Sequence, residues 1–174
     1  GELWGIADRT DYDLKRHMEY SKQDLSYFDA DTTERYVPYV IEPSVGVDRL
    51  ILAILCDAYN IETMENGEER ELLKINYNLA PYKVAVLPLI KKKHSEKAND
   101  IYKELVQYFS VSYDESGNIG KRYRRNDAIG TPFCITIDDN TLINNTVTVR
   151  NRDTMHQVTI SINEIKNYID NQLK

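Results

Sequence analysis

Cysteine is scarce in this chain: Cys56 and Cys134 stand alone, with no second thiol close to either. That argues against a disulfide framework and against a cysteine-rich zinc site. Both lie among apolar residues, so buried, reduced thiols are expected, as in a cytoplasmic protein. The three histidines share no metal-ligand spacing, and no metal site is expected. No apolar run approaches the ~20 residues needed to cross a bilayer, and no secretory signal pattern is present, so no membrane partner is expected. A glycine-rich phosphate loop, an internal repeat and low-complexity stretches are also missing.

What is present is ordinary in amount and uneven in placement. Hydrophobic residues make up 41% and charged residues 29% of 174 positions, as in a globular protein of one domain or one domain plus part of another. Residues 1–80 carry 8 Lys and Arg against 17 Asp and Glu, a net of −9, whereas residues 81–174 carry 14 against 11, a net of +3. An acidic half joined to a basic half suits a protein whose second half meets nucleic acid, although drift in surface charge gives the same asymmetry.

Residues 2–7 read as a strand, 11–20 as a helix capped by Thr10, and 25–28 and 36–41 as strands around a turn. The spacing of Val47, Leu50, Ile51, Ile54, Leu55 and Ala58 predicts an amphipathic helix. At its start Pro43 is expected to end strand pairing, Ser44 to cap the helix, and Gly46 to allow close backbone approach. Residues 62–71, rich in acids around Asn66-Gly67, read as an exposed loop, and 71–75 as a strand. Beyond Tyr82 the elements alternate. Residues 84–87 are apolar throughout, as in a strand buried on both faces. Residues 94–109, 119–129 and 162–173 read as helices, and 111–113, 133–137, 146–150 and 156–160 as strands. The predicted fold class is α/β, with a mixed five-stranded sheet and three helices in residues 81–174.

The run Glu42-Pro43-Ser44-Val45-Gly46-Val47-Asp48-Arg49 resembles motif 3 of class II aminoacyl-tRNA synthetases, in the form found in bacterial-type, homodimeric glycyl-tRNA synthetases. The likeness continues in order through residues 1–14, 79–89, 116–125 and 130–134. It implies that residues 1–80 are the antiparallel end of a class II catalytic domain and residues 81–174 an anticodon-binding domain. The implied activity of the whole protein is activation of glycine with ATP and Mg²⁺ and its transfer to glycine tRNA, by a homodimer. Motifs 1 and 2 of that class are not found, so the chain by itself is expected to be inactive.

Read alone, Glu42 could pair with Arg49 or another cation, and Ser44 could serve only as a cap. The resemblance instead gives Glu42 and Ser44 to the glycine substrate, with Gly5 lining a pocket that has no room for a larger side chain. It gives Arg49 to ATP, a role that suits a flat, permanently charged guanidinium able to stack and to meet phosphate. In the basic half, Lys121, Arg122, Arg124 and Arg125 surround Tyr123. Cations attract phosphate and an aromatic ring can stack on an unpaired base, though a solvated helix face with Tyr123 turned inward would look the same. Asp127 could accept from the amino group of cytosine, and Arg150 flanks the same sheet end. Lys91, Lys92 and Lys93 could form a phosphate patch, but read first as a solvated loop between strand and helix. A non-catalytic RNA-binding or dimerisation module built on the same fold is the alternative.

Overall fold

The computed structural model describes residues 1–173. By its internal contacts the chain divides into two compact units, Gly1–Ala53 and Ile54–Lys174.

The first unit holds β1 (Trp4–Asp8), α1 (Tyr12–Ser21), β2 (Tyr27–Asp29), β3 (Glu34–Tyr36), β4 (Ile41–Val45) and the start of α2 (Val47–Ala58). β1 pairs antiparallel with β4, and β2 with β3. Three local expectations fail here. Pro43 does not end pairing; it lies within β4 opposite Ile6, on the outer strand of a two-stranded pair where a missing N–H costs little. Ser44 is therefore a strand residue opposite Gly5 and not a helix cap. The cap position of α1 falls to Asp11, because Thr10 takes a left-handed backbone with φ of 50°. No residue of 1–53 is buried, and Trp4, Ile6 and Ile41 lie open.

The second unit opens with a hairpin, β5 (Tyr59–Thr63) and β6 (Glu69–Leu73). The expected loop is thus two paired strands joined through Asn66-Gly67, where Gly67 has φ of 80° and Met64 N–H donates to the Glu68 carbonyl at 2.8 Å. Then follow β7 (Val84–Pro88), α3 (Lys91–Leu105), β8 (Val111–Tyr113), α4 (Ile119–Ala128), β9 (Phe133–Ile137), α5 (Asp139–Asn144), β10 (Thr146–Asn151), β11 (Gln157–Ser161) and α6 (Ile165–Gln172). The sheet order is β11-β10-β9-β7-β8; β7 runs parallel to both β8 and β9, and β10 antiparallel to β9 and β11. The chain steps from β7 outward to β8, then back across β7 to β9. Right-handed crossovers in opposite directions put their helices on opposite faces.

The packing follows from that. Val84, Val86, Phe133, Ile135 and Ile137 bury against α3 and α6 on one face. Ala85, Leu87 and Cys134 meet Ile119 and Tyr123 of α4 on the other. Covering on both faces explains why β7 and β9 are buried at every position. Cys134 is buried as expected, whereas Cys56 is exposed on α2.

The helix count differs from the expected three. α5 is a fourth, six residues long and without a full apolar stripe, held by a capping box in which the Thr141 N–H donates to the Asp138 carboxylate and the Asp138 N–H donates to the Thr141 hydroxyl, each at 3.1 Å. Lys91, Lys92 and Lys93 form the first turn of α3 and not a loop. Cations at a helix N-terminus are unfavourable, and acids offset two of them: Lys91 meets Glu115 at 2.5 Å and Lys93 meets Asp139 at 2.7 Å. His94, fully buried, accepts from the Ile90 N–H at 3.0 Å through Nδ1, which leaves Nε2 to donate to Asp139 at 2.7 Å.

Candidate functional site

In the first unit, pairing sets Gly5 opposite Ser44 and Ala7 opposite Glu42. Directly paired residues share a face, as do residues two apart along a strand, so Gly5, Ser44 and Glu42 present to one side of the ribbon. The cation beside Glu42 is Arg9, with Nε at 3.7 Å, and Arg9 is shared with Asp13 at 2.9 Å. Arg49, in the first turn of α2, reaches instead to the Glu2 carbonyl, donating from Nη1 at 2.6 Å. A methyl group at Gly5 would come within 2.8 Å of Glu2 Oε1, the mobile end of an exposed side chain. The face is open and polar, with a carboxylate, a hydroxyl and a bare backbone position in a row.

In the second unit, α4 lies on β7 and β9 through Ile119 and Tyr123, and this turns its other residues to distinct fates. Arg122 is only 3% exposed and donates to the carbonyls of Pro88, Glu115 (3.2 Å) and Gly117 (2.6 Å), clamping the loop before α4. Asp127, 1% exposed, receives Arg150 Nη1 at 2.9 Å and Nη2 at 3.0 Å, and Arg70 Nε at 2.9 Å. Arg70 arrives from β6 and also binds Glu62 at 3.0 Å and the Arg152 carbonyl. Arg150, 6% exposed, lies 4.8 Å over the Tyr123 ring. Burial works against its charge, but the hydrogen bonds and charge of Asp127 outweigh that and raise its pKa. Burial also pushes the Tyr123 hydroxyl up, against its bond to Thr136 at 2.6 Å, and lifts Cys134 to about 12, too high for a reactive thiolate.

Three cations of α4 remain outward. Lys121 is exposed; Arg124 meets Glu68 at 2.5 Å and the Glu69 carbonyl at 3.1 Å; Arg125 meets Asp114 and the Ser116 carbonyl, each at 2.6 Å. The six sequence candidates for RNA contact thus divide. Lys121, Arg124 and Arg125 face solvent, while Arg122, Asp127 and Arg150 are enclosed and engaged internally. A cavity of about 320 Å³ opens between the two groups, lined by Met64 and Arg70 of the hairpin, Tyr123 and Arg124 of α4, Arg150 of β10, and Met155. Sequence reasoning missed Arg70, Met64 and Met155. The one available signal was Arg70 itself, a lone cation in an acidic run.

Among the described residues no group of three or more acidic, cysteine or histidine side chains converges as a metal site, and no helix is long and apolar enough to cross a membrane.

Residues 83–172 match the family described as "Anticodon binding domain", and the chain belongs to that family. Over its length it is similar to proteins named glycine–tRNA ligase. It is 60% identical over 174 residues to the one from Clostridium beijerinckii, covering 100% of this chain and 37% of that protein. It is 57% identical over 173 residues to that of Geobacillus kaustophilus (99% and 37%), and 56% identical over 174 residues to that of Bacillus anthracis (100% and 38%). The chain therefore spans less than two-fifths of the length of these curated relatives. Among solved structures, the RNA binding domain of threonyl-tRNA synthetase from Cryptosporidium parvum Iowa II shares the fold, with a TM-score of 0.64 over 84% of this chain and 34% of that one, at 23% identity.

Proposed function

We propose that the chain is the C-terminal part of a glycine–tRNA ligase, contributing one wall of the glycine and ATP site and the domain that reads the tRNA anticodon. The observation that carries this reading is 60% identity to such a ligase along all 174 residues. Residues 1–80 then belong to the catalytic domain and 81–174 to the anticodon-binding domain, with a homodimer as the working form of the whole enzyme. Glu42 and Ser44 hold the ammonium and carboxylate ends of glycine, since a carboxylate and a hydroxyl on one face can make charge-assisted bonds to both. Gly5 keeps the space beside them free of a side chain. Arg49 exchanges its bond to the Glu2 carbonyl for the adenine ring and phosphates of ATP. Among the described residues no three acidic, cysteine or histidine side chains converge as a cage for the Mg²⁺ that accompanies ATP. Lys121, Arg124 and Arg125 supply phosphate contacts on the tRNA, and Arg122, Asp127 and Arg150 hold α4 in place beneath them.

Binding of the 174-residue chain to glycine tRNA and to a non-cognate tRNA, measured across a salt series, tests the RNA part. Both should weaken as salt rises, with glycine tRNA ahead throughout; equal affinities at every salt concentration would overturn it. For the catalytic part, Arg49→Lys in a full-length ligase carrying this stretch should raise the ATP requirement about tenfold or more, because the planar, stacking fork is lost while the charge stays. An unchanged ATP dependence would reduce Arg49 to a tether for the Glu2 backbone.

A further inference from the structure

We propose that the β5–β6 hairpin, which lies outside the matched stretch 83–172, forms a working wall of the RNA site: Met64, with Met155 opposite, flanks one unpaired base of the anticodon loop, and Arg70 positions Arg150 beneath that base through Asp127. This rests on the reading of the chain as an anticodon reader.

The hairpin is fastened to the sheet domain by bonds that leave it little freedom. All three nitrogens of the Arg70 guanidinium group are engaged, on Asp127, Glu62 and the Arg152 carbonyl. The exposed contacts of Arg124 with Glu68 and the Glu69 carbonyl add little to that and can be exchanged for phosphate. At the base of the hairpin, Arg152 donates to the Ile75 carbonyl at 3.0 Å, and Gly130 packs so closely that an added methyl group would come within 2.7 Å of Ile75 Cγ2 and 3.2 Å of the Leu73 carbonyl. Gly130 also has φ of 81°, so glycine is required there twice over. A wall held in this way is preorganised, which lowers the ordering cost of binding.

The lining chooses the ligand. Arg70 and Arg150 on the floor are matched by Asp127 and Glu62, so the floor carries no net charge and does not call for an anion. The thioethers of Met64 and Met155 give soft, polarisable walls, and Gln157 adds an amide to the lining. A flat ligand with apolar faces and donor and acceptor edges satisfies both, and a nucleobase is that ligand. The free phosphates beside it fall to the outward cations of α4. A volume of about 320 Å³ is at the small end for ligand pockets and suits one base rather than a stacked pair.

The test uses the 174-residue chain and an RNA stem-loop carrying the glycine anticodon. Met64→Ala should weaken binding about three- to tenfold with the salt slope and the thermal midpoint unchanged, and Met64→Leu should restore most of it. In parallel, 5-iodocytidine placed in the loop should crosslink under ultraviolet light to peptides containing Met64 or Met155. If Met64→Ala binds as the parent does and crosslinks stay on α4, while Arg124→Ala still loses affinity, the hairpin is scaffold only and the anticodon reading survives without it. If the unaltered chain binds this stem-loop no better than one with a different anticodon, both readings fall.

Discussion

Asp127→Ala is expected to lower the thermal midpoint of the second unit by about 10–20 °C. The substitution leaves Arg150, 6% exposed, with no countercharge, and Arg70, 2% exposed, with only the partly exposed Glu62. Removing one partner of a buried ion cluster costs about 3–5 kcal/mol, chiefly the desolvation of the charge left behind. In a unit of this size each kcal/mol moves the midpoint by several degrees. Asp127→Asn should fall between, since the amide keeps one acceptor and the shape but not the charge. Replacing all three members with apolar residues of similar volume (Arg70→Met, Asp127→Leu, Arg150→Met) should be less damaging than Asp127→Ala alone, because no uncompensated ion remains. Differential scanning calorimetry decides between this role and that of a base reader. A midpoint within about 2 °C of the parent, the range of a surface change, together with a relaxed preference for cytosine, would make Asp127 a reader after all.

That contrast marks where the sequence stops being informative. The unbroken apolar runs at Val84–Pro88 and Phe133–Ile137 signal strands covered on both faces, and from them the parallel centre of the sheet follows. That Gly5, Ser44 and Glu42 present to one side of a ribbon was not legible, because Pro43 and Ser44 read as a strand end and a helix cap, whereas β4 runs on to Val45. The hairpin was not legible either. Arg70 and Leu72 point inward while Glu69 and Glu71 point out, so the alternation of a strand is hidden behind a run of mostly acidic letters. Nor could charge alone tell a solvated cation from a buried one. Arg122, Arg150 and Arg152 look like Arg124 and Arg125 in the sequence, and what separates them is contact with carbonyls and acids far along the chain: Arg70 to Asp127 across 57 positions, Arg152 to Ile75 across 77. Pro43 within β4 is a failure of a different kind. A proline is excluded only from the strand side that must donate, and a two-stranded pair leaves one side free.

The outward cations carry the largest expected effect on RNA. Replacing Lys121, Arg124 and Arg125 together by alanine should weaken tRNA binding by about two orders of magnitude at low salt, and should flatten the dependence of log affinity on log salt by about two to three units, near one unit per lost phosphate contact. Arg122 is left out of that variant because its guanidinium holds the carbonyls of Pro88, Glu115 and Gly117, and its loss would confound binding with folding. The present partners of the outward arginines do not compete strongly. Arg124 with Glu68 and Arg125 with Asp114 are ion pairs in which each arginine is about half exposed, and such pairs are worth about 0–1 kcal/mol. A phosphate with its condensed counterions offers more, since binding releases those ions to bulk solvent. Circular dichroism of the triple variant should match the parent, because none of the three side chains is buried. Filter binding of glycine tRNA between low and physiological salt then gives the answer, and an unchanged affinity and slope would make the cluster a solvated helix face, with the RNA held elsewhere on the chain.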